Sequence, residues 1–134
     1  MSLSRTTKLG KITINNSVIS KEIIKAASKV DVKVFLSYDR GKLLGNPKRV
    51  GTGEFGNNIL IEEKEESIHV LFYIVIKFGA SIGNCTKVIL DELEQSLKTL
   101  FPNQNGIITI KIIGVKSKNI APRDIEVKRK YEVR

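Results

Sequence analysis

The chain has 134 residues, 41% apolar and 28% charged, which is one domain's worth with enough apolar material for a core. The longest apolar run, Val70 to Ile76, is far short of the ~20 residues a membrane-spanning helix needs. One cysteine, Cys85, excludes an internal disulfide, and one cysteine with one histidine cannot form a Cys/His zinc set. The N-terminal stretch has no apolar segment of the secretory kind, so the expected location is cytoplasmic.

The net charge of +9 is unevenly spread: residues 1–50 carry +8, residues 51–100 carry −4, and residues 101–134 carry +5. Basic ends of this kind suit a polyanionic partner: nucleic acid, an anionic surface or an acidic protein.

Residues 1–8 read as a flexible leader. Gly10 to Ile14 alternates apolar and polar, which predicts a short strand. Asn15, Asn16 or Ser17 then offers a helix cap, and Val18, Ile19, Ile23, Ala26, Ala27 and Val30 recur near helical spacing over 16–30. Lys21, Lys25 and Lys29 make the opposite, basic stripe. Val32 to Leu36 reads as a second strand. Residues 39–57 hold five glycines and Pro47, so no regular structure is expected there; Lys42, Lys48 and Arg49 make this loop basic.

A strand over 58–63 and a charged turn lead to the clearest strand, 67–78. Ile68, Val70, Phe72, Ile74, Ile76 and Phe78 fall on one face, and Ser67, His69, Leu71, Tyr73, Val75 and Lys77 on the other. Ser81 or Asn84 caps an amphipathic helix whose apolar positions are Ile82, Cys85, Val88, Ile89, Leu93, Leu97 and Leu100. Pro102 ends it. Asn105-Gly106 turns the chain into a last strand, 107–113, and 117–134 reads as a polar arm or edge strand. The order is β-α-β-β-β-α-β. It predicts an α+β, two-layer domain over 9–116, a mostly antiparallel sheet with two helices packed on one face.

Gly51 to Gly56 matches the dinucleotide and kinase glycine patterns, but no helix follows it and no catalytic aspartate motif lies downstream. Gly53 to Gly56 also fits the loop of KH domains, yet its flanks are not helical and Glu54 repels phosphate. His69 has no catalytic partner. Cys85 falls in the apolar phase of its helix. Glu62, Glu63, Glu65 and Glu66 sit at a hairpin and read as a solvated edge. No catalytic, metal or cofactor set emerges, so a non-enzyme is expected. Tyr38, Phe55 and Tyr131 lie in or near basic segments, the mixture that single-stranded nucleic acid favours. A nucleic-acid-binding domain with Lys42, Lys48 and Arg49 on the phosphates is therefore the alternative reading.

Taken together, Leu9 to Ile14, Val18-Ile19, Ala26 to Val30, Leu44-Gly45 with Lys48-Arg49, Ile68 to Ile82 and Ile108 to Val115 resemble the alkaline shock protein family, the general-stress proteins of Gram-positive bacteria. The resemblance spans about residues 9–116 and rests on the order and spacing of the segments. It implies a non-enzymatic protein of cell-envelope homeostasis, cytoplasmic, self-associating, and held near the membrane by an integral-membrane partner without inserting into the bilayer itself. No cofactor is implied, and nucleic acid is not the favoured partner. The mixed strand face, with His69, Leu71, Tyr73 and Val75, is the candidate partner-contact surface.

Overall fold

A computed structural model describes residues 2–7, 10–39, 42–51, 55–56 and 58–133, with the backbone alone for those within 2–16. The elements in chain order are β1 (Ser2–Thr7), β2 (Gly10–Asn15), α1 (Asn16–Ala27), β3 (Val34–Ser37), β4 (Leu43–Gly45), β5 (Leu60–Lys64), β6 (Ser67–Lys77), α2 (Ile82–Leu100), β7 (Asn105–Lys116) and β8 (Ile120–Tyr131). The architecture is the expected two-layer α+β fold. β1 and β2 form an antiparallel pair, so Ser2–Thr7, read from sequence as a leader, is a strand. The larger sheet runs β4-β3-β6-β7-β8, with β5 on the same edge of β6 as β3.

β6 organises this sheet. β3 pairs with its C-terminal half, Tyr73 to Ile76, and β5 with its N-terminal half, Ser67 to Leu71. The β5–β6 turn places Glu65 and Glu66 at φ 49° and 65°, the two left-handed central positions of a tight hairpin. β7 lies parallel along the other edge of β6, with α2 as the crossover between them. β8 runs antiparallel beside β7. Ile120–Tyr131 therefore widens the sheet by a strand.

The helix-covered face is the apolar one. Ile68, Val70, Phe72, Ile74 and Ile76 of β6 and Ile108, Ile110 and Ile112 of β7 are buried. They pack with Ile19, Ile23, Ala26 and Ala27 of α1 and with Cys85, Ile89, Leu90, Leu93 and Leu97 of α2. Burial of this apolar set is the main stabilising contribution. Ser81 caps α2 by accepting from the Asn84 N–H at 3.1 Å. Val88 and Leu100, expected on the core stripe, lie at its margin, 39% and 40% exposed. Phe78 departs furthest from expectation. Strict alternation puts it in the core, but β6 ends at Lys77, Gly79 turns the chain at φ 89°, and Phe78 swings out to 72% exposure.

Arg129 of β8 ties the second layer to the sheet. It donates to Glu94 at 2.9 Å and lies 3.0 Å from Asp91, both on α2. The carboxyls of Asp91 and Glu94 titrate below their ordinary range, first because of hydrogen bonds from Lys87 and Lys98 respectively, and then from Arg129. A depressed carboxyl stabilises the fold above its unfolded pKa and loses that contribution as pH falls through its folded value. The stability gap between the wild type and Arg129→Ala is thus expected to be widest at neutral pH and to narrow below about pH 4. Thermal melts of both proteins across that range check this; a gap unchanged by acid would leave the guanidinium only a packing role.

Candidate functional site

The sheet face away from the helices carries the residues expected to meet a partner. In register across the strands lie Leu60, Leu71, Thr109 and Lys128, beside Glu62 and His69. Tyr73 and Lys111 follow one row on, with Glu126 opposite Lys111. His69, Leu71 and Tyr73 are half-buried and Leu60 is 41% exposed. A depression of about 230 Å³ opens among Leu60, His69, Leu71 and Lys128. Lys111 and Lys128 hold Glu126 at 3.7 and 3.4 Å, and Lys64 reaches Glu62 at 3.5 Å, so an apolar centre is framed by exposed ion pairs. Such pairs add little stability and leave the face open to new charges.

Val75 does not belong to this surface. Phe35 and Gly114 flank it on the neighbouring strands, and it is fully buried. The register of β7 slips between Ile112 and Gly114, which sets Gly114 beside Val75, and the Ile120 side chain fills the space that a Cβ on Gly114 would take. His69, Leu71 and Tyr73 therefore make up the available part of the expected strip.

Lys42, Lys48 and Arg49 are exposed, and none takes part in an ion pair among the described residues. The segment around them is more regular than its glycines suggest. β4 pairs with β3, and Pro47–Arg49 forms a 3-10 turn with Pro47 buried. Lys48 and Arg49 share that turn; Lys42 stands at the far end of β4, its ammonium 5.8 Å from the Tyr38 ring centre. Of the three aromatics read as stacking candidates, Phe55 and Tyr131 are buried and only Tyr38 stays half-exposed. Residues 52–54, at the centre of the glycine-rich motif, lie outside the described residues.

The nucleophile and acid/base candidates are placed as structural groups. Cys85 is buried, and burial pushes its thiol up against a smaller opposing pull from Lys33. A raised pKa disfavours the thiolate that nucleophilic chemistry needs. Glu63 accepts a hydrogen bond from Gln104, and His69 pairs in register with Glu62. Among the described residues no group of three or more His, Cys, Asp or Glu could hold a metal ion. No described helix is long and apolar enough to cross a membrane.

These features define a class: a two-layer α+β domain with helices on one sheet face and a half-apolar, charge-framed opposite face. Residues 4–117 match the model of the alkaline shock protein family, which is described by a cell envelope-related function. The chain belongs to that family. No curated protein and no solved structure matched it.

Proposed function

We propose that this protein is a non-enzymatic stress-response protein of cell-envelope homeostasis. It acts as a binding or scaffold protein in the cytoplasm, close to the membrane, where a membrane-anchored protein partner holds it; copies of the chain also associate with one another. The observation that carries this reading is the open face around His69, Leu71 and Tyr73. Two helices cover the opposite side of the sheet, while β8 extends the sheet edge and leaves this face uncovered by any described helix. A partly apolar face on a family with an envelope-related function is a natural contact surface. The buried thiol of Cys85, its pKa pushed up by burial, and the ion-paired Glu62 and hydrogen-bonded Glu63 support a binding role over a catalytic one.

Sedimentation velocity over a wide concentration range tests it. The wild type is expected to form oligomers, and Leu71→Glu with Tyr73→Glu to shift them toward monomer with the circular dichroism spectrum unchanged. A wild type that stays monomeric at every concentration would remove self-association from the reading.

The polyanion alternative keeps one supporting observation, the absence of ion pairs at Lys42, Lys48 and Arg49 among the described residues. It loses the aromatic platform that single strands need, since Phe55 and Tyr131 are buried. Anisotropy titration with single-stranded RNA and duplex DNA at two salt concentrations separates the readings: a steep salt dependence would favour nucleic acid.

A further inference from the structure

The end of the sheet where β6 and β7 finish carries a second feature, separate from the open face. A groove of about 500 Å³ is lined by Val32, Phe35, Asn46, Lys77, Phe78 and Lys116. Its apolar wall is unusually open to solvent, with Phe78 72% and Val32 58% exposed. Val32 is also held at φ 65°, a conformation that a β-branched residue rarely takes. A side chain kept there, pointing into solvent beside an exposed phenylalanine, contributes nothing to the core.

The charged side chains that line this wall are cationic, and Asp31, which precedes Val32 in the chain, is the one carboxylate next to it in sequence. Lys77 and Lys116 line the groove, and Lys33 and Lys118 stand next to it in the chain; Lys33, Lys77 and Lys118 are exposed and Lys116 is half-buried. None of the four takes part in an ion pair among the described residues, whereas Lys29, Lys64, Lys87, Lys98, Lys111 and Lys128 all do. Lys116 lies 5.9 Å from the Phe35 ring centre and donates to the Ser117 carbonyl. No carboxylate lines the groove among the described residues. The acidic β5–β6 turn, with Glu65 and Glu66, is at the opposite end of β6 and cannot fold back to neutralise it.

We infer that this groove docks an acidic, apolar linear segment of a partner protein, an aromatic or aliphatic side chain seating against Phe78, Val32 and Phe35 while flanking carboxylates meet Lys77 and Lys116. Charge complementarity selects the acid, and an apolar wall beside Lys77 and Lys116 suits an apolar side chain with carboxylates next to it. The inference deepens the binding role proposed above by naming what the partner presents, but it uses different residues from the open face.

The test is selection from a displayed library of short peptides built from Asp, Glu, Leu, Phe, Gly and Ser, followed by anisotropy titration of a labelled winner. Phosphatidylcholine vesicles with and without phosphatidylglycerol run in parallel. The winner is expected to combine carboxylates with an apolar anchor. Phe78→Ser, and separately Lys77→Glu with Lys116→Glu, are each expected to weaken it by about tenfold or more. Its version with Asn and Gln in place of Asp and Glu is expected to bind much more weakly to the wild type. Phe78 and Lys77 are exposed and Lys116 is half-buried, so circular dichroism checks that both variants keep the fold, and Lys77→Glu alone stands in if the double variant does not. Leu71→Glu should leave the peptide affinity unchanged, which separates failure here from failure of the open-face reading. The inference is overturned by no enrichment of acidic peptides, by binding indifferent to Phe78, or by Phe78-dependent capture by anionic vesicles in place of peptide. Loss of the protein's own oligomers on Lys77→Glu would also overturn it, by making a second copy the occupant.

Discussion

Truncating Phe55 to Ala is expected to destabilise the protein by about 3–5 kcal/mol, the range for removing a fully buried aromatic and leaving a cavity. Phe55 is fully buried and meets Phe72 of β6 edge to face, ring centres 6.2 Å apart and planes at 81°. Its amide donates to the Gly51 carbonyl at 3.0 Å, and its carbonyl accepts from Asn58 at 2.8 Å. Val50 and Ile59 are buried on either side of it in the chain. Three apolar residues of this stretch, Val50, Phe55 and Ile59, thus reach into the core, and Phe55 is the largest. Denaturant titration measures the loss as a lower midpoint at unchanged slope. Phe55→Leu keeps most of the volume and should cost less than about 1.5 kcal/mol. A loss below about 1 kcal/mol for Phe55→Ala would mean that the cavity collapses freely and the segment is not anchored.

The second large effect concerns Gly106. Tyr131 stands directly across from it on β8, and a Cβ at position 106 would overlap the tyrosine ring. The ring covers the glycine backbone and is itself buried, with the Lys98 ammonium 5.4 Å from its centre. Burial, with a smaller push from Glu94, raises the Tyr131 phenol to about 12, and its hydroxyl has no hydrogen-bond partner among the described residues. Gly106→Ala should therefore cost about 1–3 kcal/mol through overpacking. Tyr131→Phe removes only the unpartnered hydroxyl and should be neutral or slightly stabilising. The sharper measurement is the cycle with Tyr131→Ala. Once the ring is gone the added methyl has room, so the double variant should be more stable than the sum of the singles by about 1 kcal/mol or more. Strict additivity would show that the ring and the glycine do not depend on each other.

Both predictions fall where the linear pattern misleads. Phe55 sits among glycines and lysines, which from sequence resembles a solvent-exposed, nucleic-acid-binding loop; its burial follows from Phe72, a contact made across the fold. Gly106 reads as turn punctuation after Asn105, yet it is already inside β7, and its lack of a side chain makes room for a ring on a strand far along the chain. The same cause explains Phe78 and Val75. Alternation assigns each a face, but the strand ends one residue before Phe78, and the register slip in β7 sets Gly114 beside Val75, which is buried. Alternation along one strand cannot show where a neighbouring strand stops or slips.

What is periodic was legible from sequence. The stripes of α1 and α2 and the alternation of β6 are local properties. Together with the order of segments they carry the two-layer α+β class and the family resemblance. They also placed His69, Leu71 and Tyr73 on the face opposite the core. The pairing was not legible: that β3 and β5 share one edge of β6, that β7 runs parallel along the other, and that β4 forms inside the glycine-rich stretch. Hydrogen-bond partners across a sheet are chosen by the whole apolar core closing at once, and a glycine, a lysine or an exposed phenylalanine acquires its role only from what that closure places beside it.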